Sequence, residues 1–298
     1  MNPWRCEGPA WRDGRPTLAW ASRTGGDRVR PLAFGGPLAF RATGERRCAG
    51  VRRAGRRTWC PHDAEIPAGR TTARCPSCAA LDRSSSVAAD TALDDPRLFA
   101  LYLAWFGPRL VKLGITADVR GPARLLEQGA LAHSWLGEGP LAAVRRAESA
   151  LGAALDVPDR ISARVKHAAL AAGWDPARAA ADLSAAHARA TASPSWPDTV
   201  TPRALSVADH APAYRVDPAG PPRPRAHVTA LAPGAVVAGT LTAVVGPYAH
   251  LDRPGGPLLV DLRLLAGWPL TAAAPDSAVT APSRPLPAAP EPPPDGLF

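Results

Sequence analysis

The sequence predicts an α+β protein of small antiparallel sheets and flanking helices. Three observations predict it. Both ends of the chain carry short apolar runs broken by Gly-Gly and Gly-Pro pairs, the pattern of strands and turns. The middle is Ala-rich, and from residue 141 its apolar residues repeat at helical spacing. Between these regions, residues 46–80 hold four of the five cysteines.

Composition sets limits. Leu, Ile, Val and Phe together make 57 of the 298 residues, while proline alone makes 35. Parts of such a chain fold around a core and parts carry little of one. No run of about 18 apolar residues exists, so no spanning helix is expected. The first 20 residues hold Arg5, Glu7, Arg12, Asp13 and Arg15 and no apolar core, which predicts no secretory signal and a cytoplasmic location. Arginine occurs 33 times and lysine twice, a bias that makes any single arginine weak testimony. The net charge of +9 sits almost wholly in the first 90 residues, with 16 basic and 8 acidic side chains. It is densest where Arg41, Arg46, Arg47, Arg52, Arg53, Arg56 and Arg57 face only Glu45. Such a patch suits a phosphate backbone, and its plainer reading is a solvated face.

Residues 1–45 read as an N-terminal β segment, with runs at 17–20, 29–34 and 37–40 and glycine pairs between. Residues 46–80 form the cysteine segment, and 81–97 read as a linker. Runs at 98–105 and 110–115 flank Gly107-Pro108 and predict a hairpin. A helix is expected over 119–131, with Thr116 or Asp118 as N-cap and Pro122 tolerated in its first turn. Residues 141–155 predict a helix with Leu141, Val144, Ala147, Leu151 and Leu155 on one stripe, stopped by Pro158. Two more helices near 159–172 and 176–192 close a unit spanning 98–192. Residues 193–226 read as a Pro-rich linker with little structure. A C-terminal β segment follows over 227–270, with turns at Gly246-Pro247 and Gly255-Gly256. It is expected to pack on the strands of 17–40, because neither block has enough apolar residues for its own core. Residues 271–298 read as a disordered Pro-rich tail.

The cysteines carry the first chemistry. Cys75-Pro76-Ser77-Cys78 is a knuckle that lets two thiolates converge on one ion. Cys48 and Cys60 supply a second pair, completing a closed tetrahedral structural zinc site. Three other readings stand beside it. A redox pair would need a βαβ setting that the pattern does not offer. A disulfide framework would need an oxidising compartment. His62, two residues after Cys60, is an alternative fourth ligand. Cys6 has no partner at metal spacing and reads as a free thiol.

The stretch from Leu101 through Thr116, then Arg124-Leu125, Gln128 and Glu148, resembles a divergent GIY-YIG nuclease core. Tyr102 stands for the tyrosine of the first motif, and Lys112-Leu113-Gly114-Ile115-Thr116 for the second. Arg124 matches the helix arginine and Glu148 the metal-binding glutamate. Lys112 replaces the usual second tyrosine, and Gln128 stands where many members have histidine. With the cysteine segment before it and Gly246-Pro247-Tyr248 after it, the chain is similar to an uncharacterised bacterial family of domain-of-unknown-function proteins. That family shares an Arg-Leu-Leu-Glu-Gln-Gly-Ala stretch like residues 124–130.

The resemblance implies phosphodiester hydrolysis. Tyr102 and Lys112 would act on water, Arg124 on the phosphoryl oxygens, and Glu148 would hold Mg²⁺ or Mn²⁺. The expected function is therefore a nucleic-acid-acting protein, a candidate metal-dependent endonuclease, with nucleic acid as partner and no membrane. Two alternatives remain: a non-catalytic zinc-containing nucleic-acid adaptor, and a protein-interaction module working through its terminal strands.

Overall fold

A computed structural model describes residues 4–53, 56–84, 95–158, 160–221 and 223–286. The chain opens with a three-stranded antiparallel meander, β1 (Arg5–Arg12), β2 (Arg15–Ser22) and β3 (Gly26–Pro31). Asp13 and Gly14 join β1 to β2 with positive φ at both residues, the two-residue turn whose twist matches that of the strands. β4 (Phe40–Ala42) leaves the meander, and the cysteine segment contributes the hairpin of β5 (Val51–Arg53) and β6 (Arg56–Thr58), then α1 (Pro76–Ser84). α1 occupies the start of the stretch expected to be linker, because Pro76 opens a helix directly out of the cysteine knuckle. Residues 85–94 of that linker lie outside the described residues.

The central unit begins with β7 (Leu98–Trp105) and β8 (Val111–Ala117), the expected hairpin. The expected helix over 119–131 is shorter. Gly121, at φ +47, ends a 3-10 turn, and only α2 (Ala123–Gln128) is helical before Gly129 caps it in the left-handed region. Neither Thr116 nor Asp118 caps it; Pro122 occupies the N-cap, and Asp118 pairs with Arg203. β9 (Ala132–Pro140) follows, then α3 (Leu141–Leu155), α4 (Ala163–Ala171) and α5 (Pro176–Thr191). The α3 stripe is buried as its spacing requires. β7 sits between β9 and β8 and alternates between two cores. Leu101, Leu103 and Trp105 join the main core with the buried faces of α3 and α5. Tyr102, Ala104 and Phe106 join a smaller cluster with Leu125 and Ala130.

Residues 193–226 correct the expectation of an unstructured linker. β10 (Thr201–Pro202) and β11 (Val207–Asp209) add to the free side of β9, and α6 (Ala211–Tyr214) sends Tyr214 fully into the core. Prolines are tolerated there because short edge strands leave one side of the backbone unpaired. β9 accommodates them with Gly137 and Gly139. A Cβ on Gly139 would lie 2.8 Å from the Thr199 carbonyl oxygen.

The C-terminal part contains β12 (Ala226–Val228), β13 (Val236–Val237), β14 (Thr240–Val245), β15 (Tyr248–Asp252), β16 (Leu258–Asp261), β17 (Leu270–Ala272) and β18 (Ser283–Pro285). One sheet runs β14-β15-β16-β12-β18. β18 and the last two residues of β17 lie within the stretch expected to be disordered. Pro285 is tolerated because β18 is an edge strand. Residues 287–298 lie outside the described residues. The two ends of the chain meet. β4 is flanked by β13 and β17, the Cys6 amide donates to the Trp268 carbonyl at 2.8 Å, and the Trp11 indole donates to the Gly246 carbonyl at 3.1 Å.

Candidate functional site

The four cysteines of residues 48–78 converge. Their sulfur atoms lie within 4.8 Å of one another, and all four side chains are buried. The fold brings them there through two turns. Gly50, at φ +70, lets the chain leave Cys48 beside the Thr58 carbonyl oxygen, which a Cβ would approach to 2.2 Å. Cys75 stands immediately before α1, and Cys78 lies in its first turn. Backbone amides point at the sulfurs: Cys75 N–H donates to Cys48 Sγ at 3.3 Å. Burial raises the Cys60 thiol, but the amides of Ala64 and His62 and the neighbouring thiols overcome it and bring it down to about 7. The His62 ring is exposed and is not among the clustered donors; His62 serves through its backbone amide. Among the described residues, only Val51, Ile66 and Ala64 pack around the four sulfurs, a core too small to hold this segment alone. Four buried sulfurs at this separation can hold a metal ion, and they leave no protein-free position for chemistry. Cys6 is a separate buried free thiol in the main core.

The second constellation gathers around Gln128. Tyr102 lies across β8 at Gly114, where a Cβ would meet the phenol oxygen at 2.4 Å. That contact explains the glycine of the Lys-x-Gly-x-Thr motif. The Gln128 side-chain amide donates to Tyr102 Oη at 2.8 Å, and Lys112 Nζ donates to Gln128 Oε1 at 3.3 Å. Burial pushes the Tyr102 phenol up; Gln128 and Arg124 pull against that, and Glu148 adds to it. Arg124 and Glu148 thus both act electrostatically on the same phenol, Arg124 exposed on α2 and Glu148 half-buried on α3.

The sequence reading missed Lys166. Its ammonium, on α4, donates to the Gln128 carbonyl at 2.8 Å and lies 4.0 Å from the Phe106 ring centre. Burial, with Lys112, Arg124 and Arg263 nearby, brings it down to about 8. The chain's two lysines therefore flank one residue, Gln128. Their rarity among 35 basic side chains was the available signal.

Beside this cluster runs a cleft of about 590 Å³. α2, α4, the cysteine segment and the β14–β15 turn form its walls. Six cationic side chains line it, Arg52, Arg57, Arg74, Arg124, Lys166 and Arg263, against the carboxylates of Glu7 and Glu127. The turn is seated tightly. Gly246, at φ +60, packs on the cap of α2, where a Cβ would come within 2.9 Å of the Gly129 nitrogen. Of the four residues assigned by resemblance, Arg124 lines the cleft, while Tyr102 lies behind Gln128 and is 2% exposed.

The arginine-rich stretch is partly committed to the fold, while Arg41, Arg52 and Arg56 stay exposed. Arg46 is buried, donating to the carbonyls of Ala266, Pro67 and Ala68. Arg47 pairs with Glu45, Arg52 with Asp27, and Arg57 with Glu7 and Asp27.

A family model described as a protein of unknown function (DUF2797) matches residues 35–270, which hold both constellations. No curated protein and no solved structure matches the chain.

Proposed function

Since the chain belongs to the DUF2797 family, of unknown function, we propose its role from its own geometry: it binds the phosphates of a nucleic acid in the cationic cleft and hydrolyses a phosphodiester there. The observation carrying this reading is the set Lys112, Arg124, Lys166 and Tyr102 around Gln128, with Glu148 acting on the same phenol. The strand-strand-helix-strand-helix order of β7, β8, α2, β9 and α3, with β7 central, supports a GIY-YIG-like core. Arg124 and Lys166 hold the phosphoryl oxygens and offset charge gained in the transition state. Tyr102 remains a neutral phenol at neutral pH, since its pKa is raised. Its oxygen accepts from Gln128, so the phenol fixes the amide that lies between it and the cleft. A Mg²⁺ or Mn²⁺ at Glu148 would supply Lewis-acid stabilisation. The four cysteines hold a structural Zn²⁺, and that ion keeps the wall carrying Arg52, Arg57 and Arg74 in place.

The test is cleavage of a panel of single- and double-stranded DNA and RNA with Mn²⁺ or Mg²⁺, with Glu148→Gln as control. Cleavage lost in that variant with binding retained is expected. A second reading, a non-catalytic adaptor, is favoured by the burial of Tyr102 behind Gln128. Salt-sensitive binding without cleavage in any metal would establish it in place of the hydrolase.

A further inference from the structure

A second cavity of about 790 Å³ adjoins the cationic cleft. Tyr248, Thr71 and Ala163 line both spaces, so the two adjoin. Their characters differ. The second cavity is walled by Leu170, Val228, Leu259 and Leu264, with the rings of His167, His227 and Tyr248 and the charged side chains of Arg164, Arg223 and Asp261 among its polar lining. His167 meets the Tyr248 ring edge-on, with centres 4.3 Å apart. His167 Nε2 and His227 Nδ1 are buried, with no hydrogen-bond partner among the described residues. Leaving such atoms unsatisfied costs stability, which points to a ligand that satisfies them.

We propose that the two spaces form one nucleotide site, with a phosphate beside Arg124, Lys166 and Arg263 and an unstacked nucleobase in the histidine-lined cavity. The inference rests on the reading of the cleft as a phosphate site and adds what the protein holds next to that phosphate. A nucleobase is flat, with apolar faces and a hydrogen-bonding edge. The cavity offers leucine and valine walls for the faces and two unpartnered ring nitrogens for the edge. Burial lowers His167, so its ring is neutral at neutral pH and presents one donor and one acceptor. Arg263, paired with Asp261 and donating to Tyr248 Oη at 2.8 Å, stands where phosphate and base regions join. An enzyme acting on one nucleotide gains access by turning its base out of the stack into such a pocket.

The experiment is calorimetric titration of the full chain with the four common nucleoside 5′-monophosphates, their nucleosides and ribose 5-phosphate. At least one monophosphate is expected to bind about tenfold more tightly than ribose 5-phosphate and than its own nucleoside. Ala168→Trp fills the cavity from an exposed position on α4, and His227→Ala removes one ring. Each should abolish the gain from the base and leave ribose 5-phosphate binding unchanged. A monophosphate binding no better than ribose 5-phosphate overturns the base pocket while the phosphate cleft stands. A nucleoside binding as tightly as its monophosphate overturns the joined site. If ribose 5-phosphate and every monophosphate fail to bind, the phosphate reading falls and this inference with it. A base gain in a protein that cleaves nothing supports the inference and removes only the hydrolase.

Discussion

Two cationic regions share this molecule, and they behave oppositely. In the stretch from Arg41 to Arg57, the fold supplies most arginines with a partner: carbonyls for Arg41 and Arg46, carboxylates for Arg47, Arg52 and Arg57. Around Gln128 the charge is sparser along the chain: Arg124 pairs with Glu127 and Arg263 with Asp261, but Lys166 has no carboxylate acting on it among the described residues. Lys166 has a carbonyl and an aromatic face, and the groups acting on it are three further cations. An anion is attracted where the fold leaves positive potential uncompensated, not where basic residues are densest. The dense stretch is largely structural cement that lends Arg52 and Arg57 to one wall of the cleft, and the sparse cluster around Gln128 is the candidate phosphate seat.

The largest expected effect comes from removing the metal proposed for the four-cysteine site in the first region. Chelation, or Cys75→Ser, should release a near-stoichiometric zinc ion and withdraw on the order of 10–16 kcal/mol of apparent folding energy from the cysteine segment. Hydrogen exchange should then rise across residues 46–82 while β7 stays protected. Metal-free protein with that segment intact would show that its arginine contacts hold it unaided.

Arg46 tests the same region more finely. Arg46→Met should cost about 3 kcal/mol, because it removes a buried guanidinium's bonds to the buried Ala266 carbonyl and to the part-buried carbonyls of Pro67 and Ala68. The salt dependence of nucleic-acid binding should stay as it was. A slope that falls by about one would place Arg46 on a phosphate and collapse the comparison.

What the sequence made legible follows the same division between local and assembled features. The cysteine ligands, β7 and α3 lie in short stretches whose spacing alone carries the signal. The sequence predicts no element over residues 132–140, where Gly137 and Gly139 weaken the strand pattern of β9. They are there to let residues 199–201 pass over the strand. The partners of Gln128 come from residues 102, 112 and 166, and the cleft adds positions near 50, 74 and 263. No local pattern encodes such a meeting. Arg46 shows the converse, a residue whose composition suggested a surface and whose fold buries it.

Acid should separate the fold from the cleft. His133 and His210 stack in the core beside β9, with ring nitrogens 2.9 Å apart. Burial and the facing ring bring His133 down to about 3, and burial brings His210 down to about 4. In the unfolded chain both titrate near 6.5, so the unfolded state takes up protons first as pH falls. Stability from this pair is full above about 6.5 and is lost toward pH 4, at about 2 kcal/mol per ring by pH 5. Lys166 is protonated throughout that range. Denaturant midpoints should therefore fall between pH 7 and 5 while phosphate affinity of the folded protein holds. His133→Phe should flatten the acid limb, and an unchanged limb would assign acid sensitivity elsewhere.

The smallest effect is the most discriminating. Lys166 is half-buried among cations, so its charge is a cost to the folded state that a bound phosphate would offset. Lys166→Met keeps the stem over Phe106 and removes the charge. At neutral pH the variant should gain about 1 kcal/mol of stability, after allowing for solvent screening. Its nucleic-acid binding should weaken, with a salt slope lower by about one. The wild-type pH profile runs the same way. Below about 8 the ammonium is charged and binds phosphate; as pH rises past that value the charge and the affinity go together, well before an ordinary lysine would titrate. A protein made more stable and less able to bind by one substitution has its charge placed for a ligand. If Lys166→Met instead destabilises the chain and leaves the salt slope intact, the ammonium belongs to the fold through its bond to the Gln128 carbonyl, and the two cationic regions are alike after all.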